Sequence, residues 1–226
     1  MKKLEDYKNI HHNMDIYILA SGKSVDFIDN SFFYNKIIIG INQVFKKIKC
    51  NYLVRKENKL LKEVVDLNPN TIHFISKGNC GSNTDSNLQF VNKHFKNNNN
   101  IVIYNHNQNL KNIPNTIKED ELIVSQSTIT TGIHLAAYMG AKNIILVGHD
   151  GGMINGECNF KEYHNDETYK IAWPKNGKKD YIKWVKNIEN DTILLKKILN
   201  KKYGCNIVSI NPFINFNLEG NKYTKN

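Results

Sequence analysis

The sequence predicts an α/β fold: a Rossmann-like, mostly parallel sheet with helices on both faces and a long lid segment. Three observations predict it. Seven short apolar runs are rich in β-branched residues, helical periodicity lies between several of them, and polar turns follow them directly. Continuous apolar runs of this length are typical of strands buried on both faces, as in parallel sheets. Strands that alternate with helices indicate a doubly wound architecture.

The predicted elements follow one another along most of the chain. The strands are expected at residues 15–20, 36–41, 51–54, 71–76, 100–104, 143–148 and 206–212. Helical spacing marks residues 57–67, 130–141 and 181–204, and the last of these is long, amphipathic and stopped by Gly204. The asparagine-rich stretch 77–100 is expected to be a surface insertion. Residues 151–179 show little periodicity, and a loop of that length is typically a lid, a binding loop or disordered.

Composition limits the choice of partner and compartment. The chain has 226 residues and a net charge of +10, which suggests an anionic partner, although an AT-biased coding sequence explains the lysines equally simply. Arg55 is the only arginine, which argues against a reader of nucleic-acid bases. The four cysteines are widely spaced, so no zinc site is expected. Without a signal peptide or a long apolar run, we expect a cytoplasmic protein.

The turn after the first strand is a candidate anion site. Ligands of open parallel sheets bind beyond the carboxyl ends of the strands. Ala20, Ser21, Gly22 and Ser24 can present backbone N–H groups and hydroxyls to a phosphate there. The spacing matches neither a P-loop nor the dinucleotide fingerprint, and a simple tight connection is the alternative.

The next two strand ends carry an amide pair and the arginine. Asn42 and Gln43 can read a base edge or a sugar hydroxyl, or cap a turn. Arg55 is a candidate clamp for a phosphate or carboxylate, with a surface ion pair as the alternative.

A hydroxyl-rich stretch leads into the helix predicted at 130–141. Ser127 or Thr128 can cap this helix. Thr130, Thr131 and Gly132 then bring small polar groups and free N–H groups to its start, which predicts an anion or ribose site. His134, inside the helix, is expected to be a core histidine.

The strand after this helix ends in Gly148, His149 and Asp150. Consecutive β-α-β elements are neighbours, so this end should lie beside the hydroxyl cluster. Asp150 can bind a metal–nucleotide or act as a base, and His149 can act as a general base or acid. In the following segment, Tyr163 and Tyr169 can stabilise a departing phosphate, and His164 fits a lid that closes over a sugar nucleotide.

In combination, these motifs resemble those of the bacterial sialyltransferases of Campylobacter type. The resemblance rests on "ILASGKS", "INQVF", "STITTGIHLAAYMGAKNIILVGHD" and "YGCNIVSINP". The same motif order is similar to that of uncharacterised α/β proteins of surface-polysaccharide loci, and an archaeal pterin diphosphokinase also resembles that group. Thr128 stands where the family has an arginine, and the position of the family's catalytic base falls near Asn187.

The resemblance implies a CMP-sugar-dependent, metal-independent, inverting glycosyltransferase. Residues 1–226 would form a single nucleotide-sugar-binding domain, with a lid at about 151–180. The base would be His164 or His149, and the donor sugar would be sialic acid, another nonulosonate or Kdo. The implied partners are a nucleotide-sugar donor and a glycan or glycolipid acceptor, with no cofactor and no nucleic acid. Contact with the inner face of the membrane and a homo-oligomer are further expectations.

Two alternatives belong to other functional classes. A diphosphokinase acting on a hydroxymethyl heterocycle would need Mg²⁺ and ATP, with Asp150 as a metal ligand. A non-catalytic nucleotide- or glycan-binding module would bind the same ligands without turnover.

Overall fold

A single parallel sheet organises the chain. The computed structural model describes residues 2–79, 82, 84–106, 117–119, 121–125, 127–155, 157–164 and 178–210, with the side chains of 164 and 178–182 left aside. Within these ranges the strands are β1 (Asp15–Leu19), β2 (Ile37–Ile41), β3 (Tyr52–Arg55), β4 (Ile72–Ser76), β5 (Ile101–His106), β6 (Glu121–Leu122), β7 (Asn143–Val147) and β8 (Asn206–Ser209). Their order is β6-β5-β4-β3-β2-β1-β7-β8, and neighbouring strands run parallel.

Helices cover both faces of the sheet, as predicted. The described α-helices are α1 (Leu61–Leu67), α2 (Ser86–His94), α3 (Thr128–Tyr138) and α4 (Lys178–Tyr203). Side chains alternate along each strand, so Ile16 and Ile18 pack with α3 and α4 on one face, while Leu19 packs with the short 3-10 turns on the other. On that second face, α1 and α2 cover the part of the sheet formed by β4 and β5.

Helix α3 is buried on all sides. Each of its residues is inaccessible or nearly so, because the helix lies between the sheet and α4. That sandwiched position explains its apolar, alanine-rich sequence. The expected role of His134 is confirmed: its Nδ1 accepts the backbone N–H of Ile123 at 3.0 Å, and its Nε2 lies 3.2 Å from the hydroxyl of Tyr203.

The structure differs from the predicted elements at several boundaries, and three differences matter most. The stretch 77–100, expected to be a surface insertion, contains α2, and the short strand β6 was not predicted at all. The long helix begins at Lys178, before the predicted residue 181, and Gly204 ends it as expected, with φ +69° and its N–H bonded to the Asn200 carbonyl.

Candidate functional site at the carboxyl ends of the strands

The order of the strands reverses at β1. From β1 the sheet extends through β2 to β6 on one side and through β7 to β8 on the other, so β1 is bordered by β2 and β7. Leu19 and Val147 are register partners, which brings the turns after these two strands together. In open α/β sheets, ligands bind in the crevice at such a switch point, beyond the carboxyl ends of the strands.

The two turns cross so closely that only glycine fits. The Gly22 N–H donates to the Gly148 carbonyl at 2.8 Å. A Cβ built on Gly22 would lie 2.4 Å from that carbonyl and 2.5 Å from an Asp150 carboxylate oxygen. Gly148 has φ +69°, and its Cβ would lie 2.4 Å from a methyl group of Val25. Both glycines are therefore required by the packing of one turn against the other.

Asp150 joins these turns through Ser24. One carboxylate oxygen accepts the Ser24 N–H at 2.7 Å, and the other accepts the Ser24 hydroxyl. The carboxylate is almost fully buried; burial raises its pKa, and the two hydrogen bonds from Ser24 oppose that rise. Asp150 thereby fixes the candidate anion-binding turn against the end of β7.

His149 is directed towards helix α4. Its Nε2 lies 3.1 Å from the hydroxyl of Thr192, and that hydroxyl donates to the Ile188 carbonyl at 2.8 Å. Because the hydroxyl proton is already used, Nε2 of His149 donates this hydrogen bond. Burial lowers the pKa of His149 to about 4, so the ring is a weak base near neutral pH.

The start of α3 brings the predicted hydroxyl cluster to the same edge of the sheet. Ser127 is the N-cap, and its side chain accepts the Ile129 N–H at 3.4 Å. The Thr130 hydroxyl donates to the Ser127 carbonyl at 2.8 Å and lies 3.0 Å from the Ser125 hydroxyl. A Cβ on Gly132 would lie 2.6 Å from the Ile41 Cδ1 atom, so the helix start sits directly over the carboxyl end of β2.

Thr131 faces Tyr104 of β5, on the side of the sheet that α3 covers. It is fully buried, and its hydroxyl lies near the phenol of Tyr104. Burial raises the pKa of Tyr104, and the nearby hydroxyls of Thr131 and Ser76 partly oppose that rise. Within the described part of the chain, the Thr131 hydroxyl has no hydrogen-bond partner.

The turn after β2 contains a buried acceptor. Gln43 is 1% exposed, and its side-chain carbonyl oxygen has no hydrogen-bond donor within the described part of the chain. Asn42 adopts a left-handed conformation with φ 56°, and its carbonyl accepts from the Arg55 guanidinium at 3.0 Å. A buried amide oxygen without a donor is a position where a ligand N–H or O–H group can complete the hydrogen bonding.

Arg55 is buried, so the surface ion pair that was one of its two predicted roles is wrong. It is 3% exposed, and its guanidinium also donates to the Lys59 carbonyl at 2.9 Å. The arginine therefore ties the turns after β2 and β3 together. A neighbouring cation, Lys56, donates to the Ser125 carbonyl at 3.1 Å and so lies beside the hydroxyl cluster.

The first part of the predicted lid is docked on the turn after β1. The Phe160 N–H donates to the Ser21 carbonyl at 3.1 Å, and the Asn159 side-chain amide donates to the Ser21 hydroxyl at 2.9 Å. The Phe160 ring is fully buried and packs edge-on against Tyr163, with 5.4 Å between the ring centroids. Tyr163 thus belongs to the core on the face opposite α3.

Ion pairs surround this docked segment. Lys47 lies 3.1 Å from the Asp26 carboxylate and 3.3 Å from that of Glu162, and Lys23 pairs with Asp26 and Glu157. The backbone of His164 ends the 3-10 turn Lys161–His164. The His164 side chain and the whole of Tyr169 lie outside the described residues.

Two residues of α4 complete the crevice, and the sequence did not point to them. Asp191 lies beside the Ser125 hydroxyl; burial raises the pKa of Asp191, and the neighbouring hydroxyl opposes that rise. Thr192 binds His149, as described above. One feature of the sequence could have pointed to them. Thr192 is a polar residue within the apolar stripe formed by Ile188, Leu195 and Leu199.

Neither a metal-binding cluster nor a membrane-spanning helix is found among the described residues. Among them, no three His, Cys, Asp or Glu side chains are grouped in a way that could hold a metal ion. None of the described helices combines the length and apolar character needed to cross a bilayer.

The fold is one found in glycosyltransferases. No protein-family model matches the sequence, and comparison with curated proteins gives no match. Among solved structures, the chain is similar to the sialyltransferase CST-II in complex with a trisaccharide acceptor and CMP. That similarity has a TM-score of 0.52 and 14% identity and covers 89% of this chain and 82% of CST-II.

Two further structures share the fold. The α-2,3-sialyltransferase Cst-I from Campylobacter jejuni has a TM-score of 0.50 and 15% identity, over 87% of this chain and 75% of Cst-I. The MAf glycosyltransferase from Magnetospirillum magneticum AMB-1 has a TM-score of 0.50 and 15% identity, over 93% of this chain. This chain spans only 36% of the length of that last protein.

Proposed function

We propose that this protein is an inverting glycosyltransferase. It transfers an acidic sugar (sialic acid, a related nonulosonate or Kdo) from a CMP-activated donor to a glycan or glycolipid acceptor, without a metal ion or other cofactor. The observation that carries the proposal is the crevice at the switch point between β1 and β7, bordered by the hydroxyl-rich start of α3. A sialyltransferase solved with CMP and an acceptor has the same fold.

The nucleotide is proposed to lie against four elements of this crevice. Its contacts come from the turn after β1, the turn after β2, the start of α3 and the end of β7. The residues are Ala20, Ser21, Gly22, Ser24, Asn42, Gln43, Thr130, Thr131, Gly132 and Gly148. The buried Gln43 acceptor supports this assignment, because an amino or hydroxyl group of a nucleoside would satisfy it.

The remaining candidate residues divide into two roles. We propose that His149 and Asp150 hold the walls of the crevice, since one is bound to α4 and the other to the turn after β1. His164, Tyr163 and Tyr169 come from the lid segment, where a histidine can receive a proton and phenols can stabilise the departing phosphate. Inversion follows from a single displacement, in which the acceptor oxygen attacks the anomeric carbon as CMP leaves.

The acceptor and the cellular location follow from the same proposal. A net charge of +10 suits an acidic glycan or a glycolipid in an anionic membrane surface. We therefore propose a cytoplasmic enzyme that works at the inner face of the membrane, as a monomer or a homo-oligomer, and binds no nucleic acid.

A thermal-shift panel tests the proposal. CMP, UDP, GDP, ADP and ATP are each added with Mg²⁺ and with EDTA, and the melting temperature is recorded. The expected result is a rise with CMP that is the same in EDTA, because ligand binding to the folded state alone stabilises it. Protection by ATP that requires Mg²⁺ would favour the diphosphokinase. CMP binding without turnover of any CMP-sugar would favour a binding module, and no shift with CMP would contradict the proposal.

A further inference from the structure

Helix α4 delivers two consecutive polar residues to the crevice. Thr192 contacts His149 at the end of β7, and Asp191 lies beside the hydroxyl of Ser125, in the cluster that leads into α3. The Ser125 hydroxyl is also 3.0 Å from that of Thr130, a residue placed against the nucleotide. Asp191 therefore lies next to the proposed nucleotide site without being one of the residues that form it.

One oxygen of this carboxylate is unsatisfied. The Asp191 Oδ2 atom is shielded from solvent and has no hydrogen-bond donor within the described part of the chain. A buried acceptor without a donor costs about 1–3 kcal/mol, and more when it is charged. Such groups are rare in folded proteins and call for an explanation, of which a catalytic role is one.

Asp191 is nevertheless positioned to reach a ligand. The residue as a whole is only partly buried, so part of its surface stays accessible although the Oδ2 atom is covered. The terminal torsion of an aspartate side chain is broad, which lets the two oxygens exchange places. Among the described residues, the ionisable side chains near here include Lys56, bonded to the Ser125 carbonyl, Asp150 and the neutral His149, and α4 itself carries Glu189 and Lys196.

We propose that Asp191, and not the lid histidine His164, is the general base of the transfer reaction, an inference that rests on the function proposed above. Its unsatisfied oxygen takes the proton of the acceptor hydroxyl, and the electron pair of that O–H bond lets the oxygen bond to the anomeric carbon of the donor. The bond from that carbon to the phosphate oxygen breaks, and its electron pair leaves with CMP. The carboxyl group then returns its proton to solvent.

The electrostatics of Asp191 support this role. Burial raises the pKa of Asp191, and a base is most effective when its pKa approaches the working pH. The neighbouring hydroxyl of Ser125 opposes the rise, so it tunes the basicity of the carboxylate. Replacing Ser125 should therefore move the pH at which the enzyme becomes active.

Four variants test the proposal in the full-length protein with a CMP-sugar and acceptor that the wild type uses. They are Asp191→Asn, Asp191→Glu, Ser125→Ala and the exposed control Asp66→Asn. Asp191→Asn should lower kcat by about 10²- to 10⁴-fold, the usual contribution of general-base catalysis. Its CMP-induced thermal shift should remain, and its melting temperature should not fall, because an unpaired buried charge has been removed.

The other variants separate catalysis from structure. Asp191→Glu should retain more activity than Asp191→Asn, and Asp66→Asn should match the wild type. Ser125→Ala should shift the rising limb of the kcat–pH profile to higher pH, which a purely structural Asp191 would not produce. If Asp191→Asn does not fold, the kcat–pH profile of Ser125→Ala and the kcat of Asp191→Glu test the proposal in its place.

Three results would overturn the proposal. First, Asp191→Asn could keep its kcat within twofold of the wild type. Second, Asp191→Asn could lose CMP binding together with turnover. Third, the rising limb of the kcat–pH profile could disappear in His164→Gln and persist in the Asp191 variants. In each case the wild type still transfers sugar, so the glycosyltransferase function stands and only the base is wrong. If the wild type neither binds CMP nor uses a CMP-sugar, the proposed function fails, and the role of Asp191 fails with it.

Discussion

At the scale of single residues, Gly148 is where the structure leaves least room for change. Its backbone has φ +69°, and any Cβ there would lie 2.4 Å from Val25 and 2.7 Å from the Ala20 carbonyl oxygen. Gly204 has the same φ of +69° but no atom within 4 Å of its Cβ position. The two glycines therefore separate the effect of the backbone conformation from the effect of crowding.

We expect Gly148→Ala to be the more damaging of the two alanine substitutions. The left-handed conformation costs about 1 kcal/mol in either variant. Crowding at Gly148 adds about 1–3 kcal/mol and displaces the turn that carries Ser24. Urea unfolding measures both free energies, and CMP binding should be weakened only in Gly148→Ala. Equal losses of stability in the two variants would show that the space around Gly148 is not limited by the turn after β1.

Residue identity at the strand ends was predictable, but the roles of these residues were not. The rule for parallel sheets placed the polar turns after β1, β2 and β7 on one edge, and the structure brings them together. Whether His149 or Asp150 faces a ligand or the protein depends on partners far along the chain. Thr192 and Ser24 are those partners, and no local pattern around residue 149 or 150 names them.

At the scale of elements, α3 is held by a histidine that must stay neutral. His134 Nδ1 accepts the Ile123 N–H, and burial lowers the pKa of His134 to about 3 from its ordinary value of 6.5. As the pH falls below 6.5, the unfolded chain binds a proton that the folded chain does not. Stability is therefore lost from about pH 6.5 downward, with a slope approaching about 1.4 kcal/mol per pH unit for one group.

Replacing His134 by glutamine should remove this contribution. Glutamine retains an acceptor for the Ile123 N–H but does not titrate. Between pH 6.5 and pH 5, the variant should lose about 2 kcal/mol less stability than the wild type, as measured by urea unfolding. His73 and His149, whose pKa values burial lowers to about 4, keep some acid sensitivity in both proteins. The exposed His12→Gln serves as control, and equal acid slopes in all three proteins would contradict this account.

The strength of the local signal decided which elements could be predicted. Strands β1 to β5, β7 and β8 appear in the sequence as apolar runs because both of their faces are buried. Helix α2 was missed because its sequence is polar: its buried residues are Asn87 and Val91, and the Asn87 amide bonds to the carbonyls of Ser76 and Lys56. Strand β6 has two residues, too few to form a pattern.

At the scale of the whole molecule, the order of the strands creates the site. Because β7 returns to the far side of β1, the turns after both strands open at one point, and α3 and α4 close over it. The sequence predicted the parallel sheet, but it could not show that α4 would place Asp191 against Ser125. That contact depends on how a long helix packs across α3, which no local periodicity encodes.

Hydrogen exchange with and without CMP, measured in EDTA by mass spectrometry, locates the bound nucleotide on the protein. If the nucleotide binds at the switch point without a metal, CMP should slow exchange in the turns at 20–24, 42–43 and 148–150 and at the start of α3, residues 127–132. The amino-terminal ends of the strands, on the opposite edge of the sheet, should exchange as before. Unchanged exchange in all four segments, or protection confined to another part of the molecule, would contradict the account.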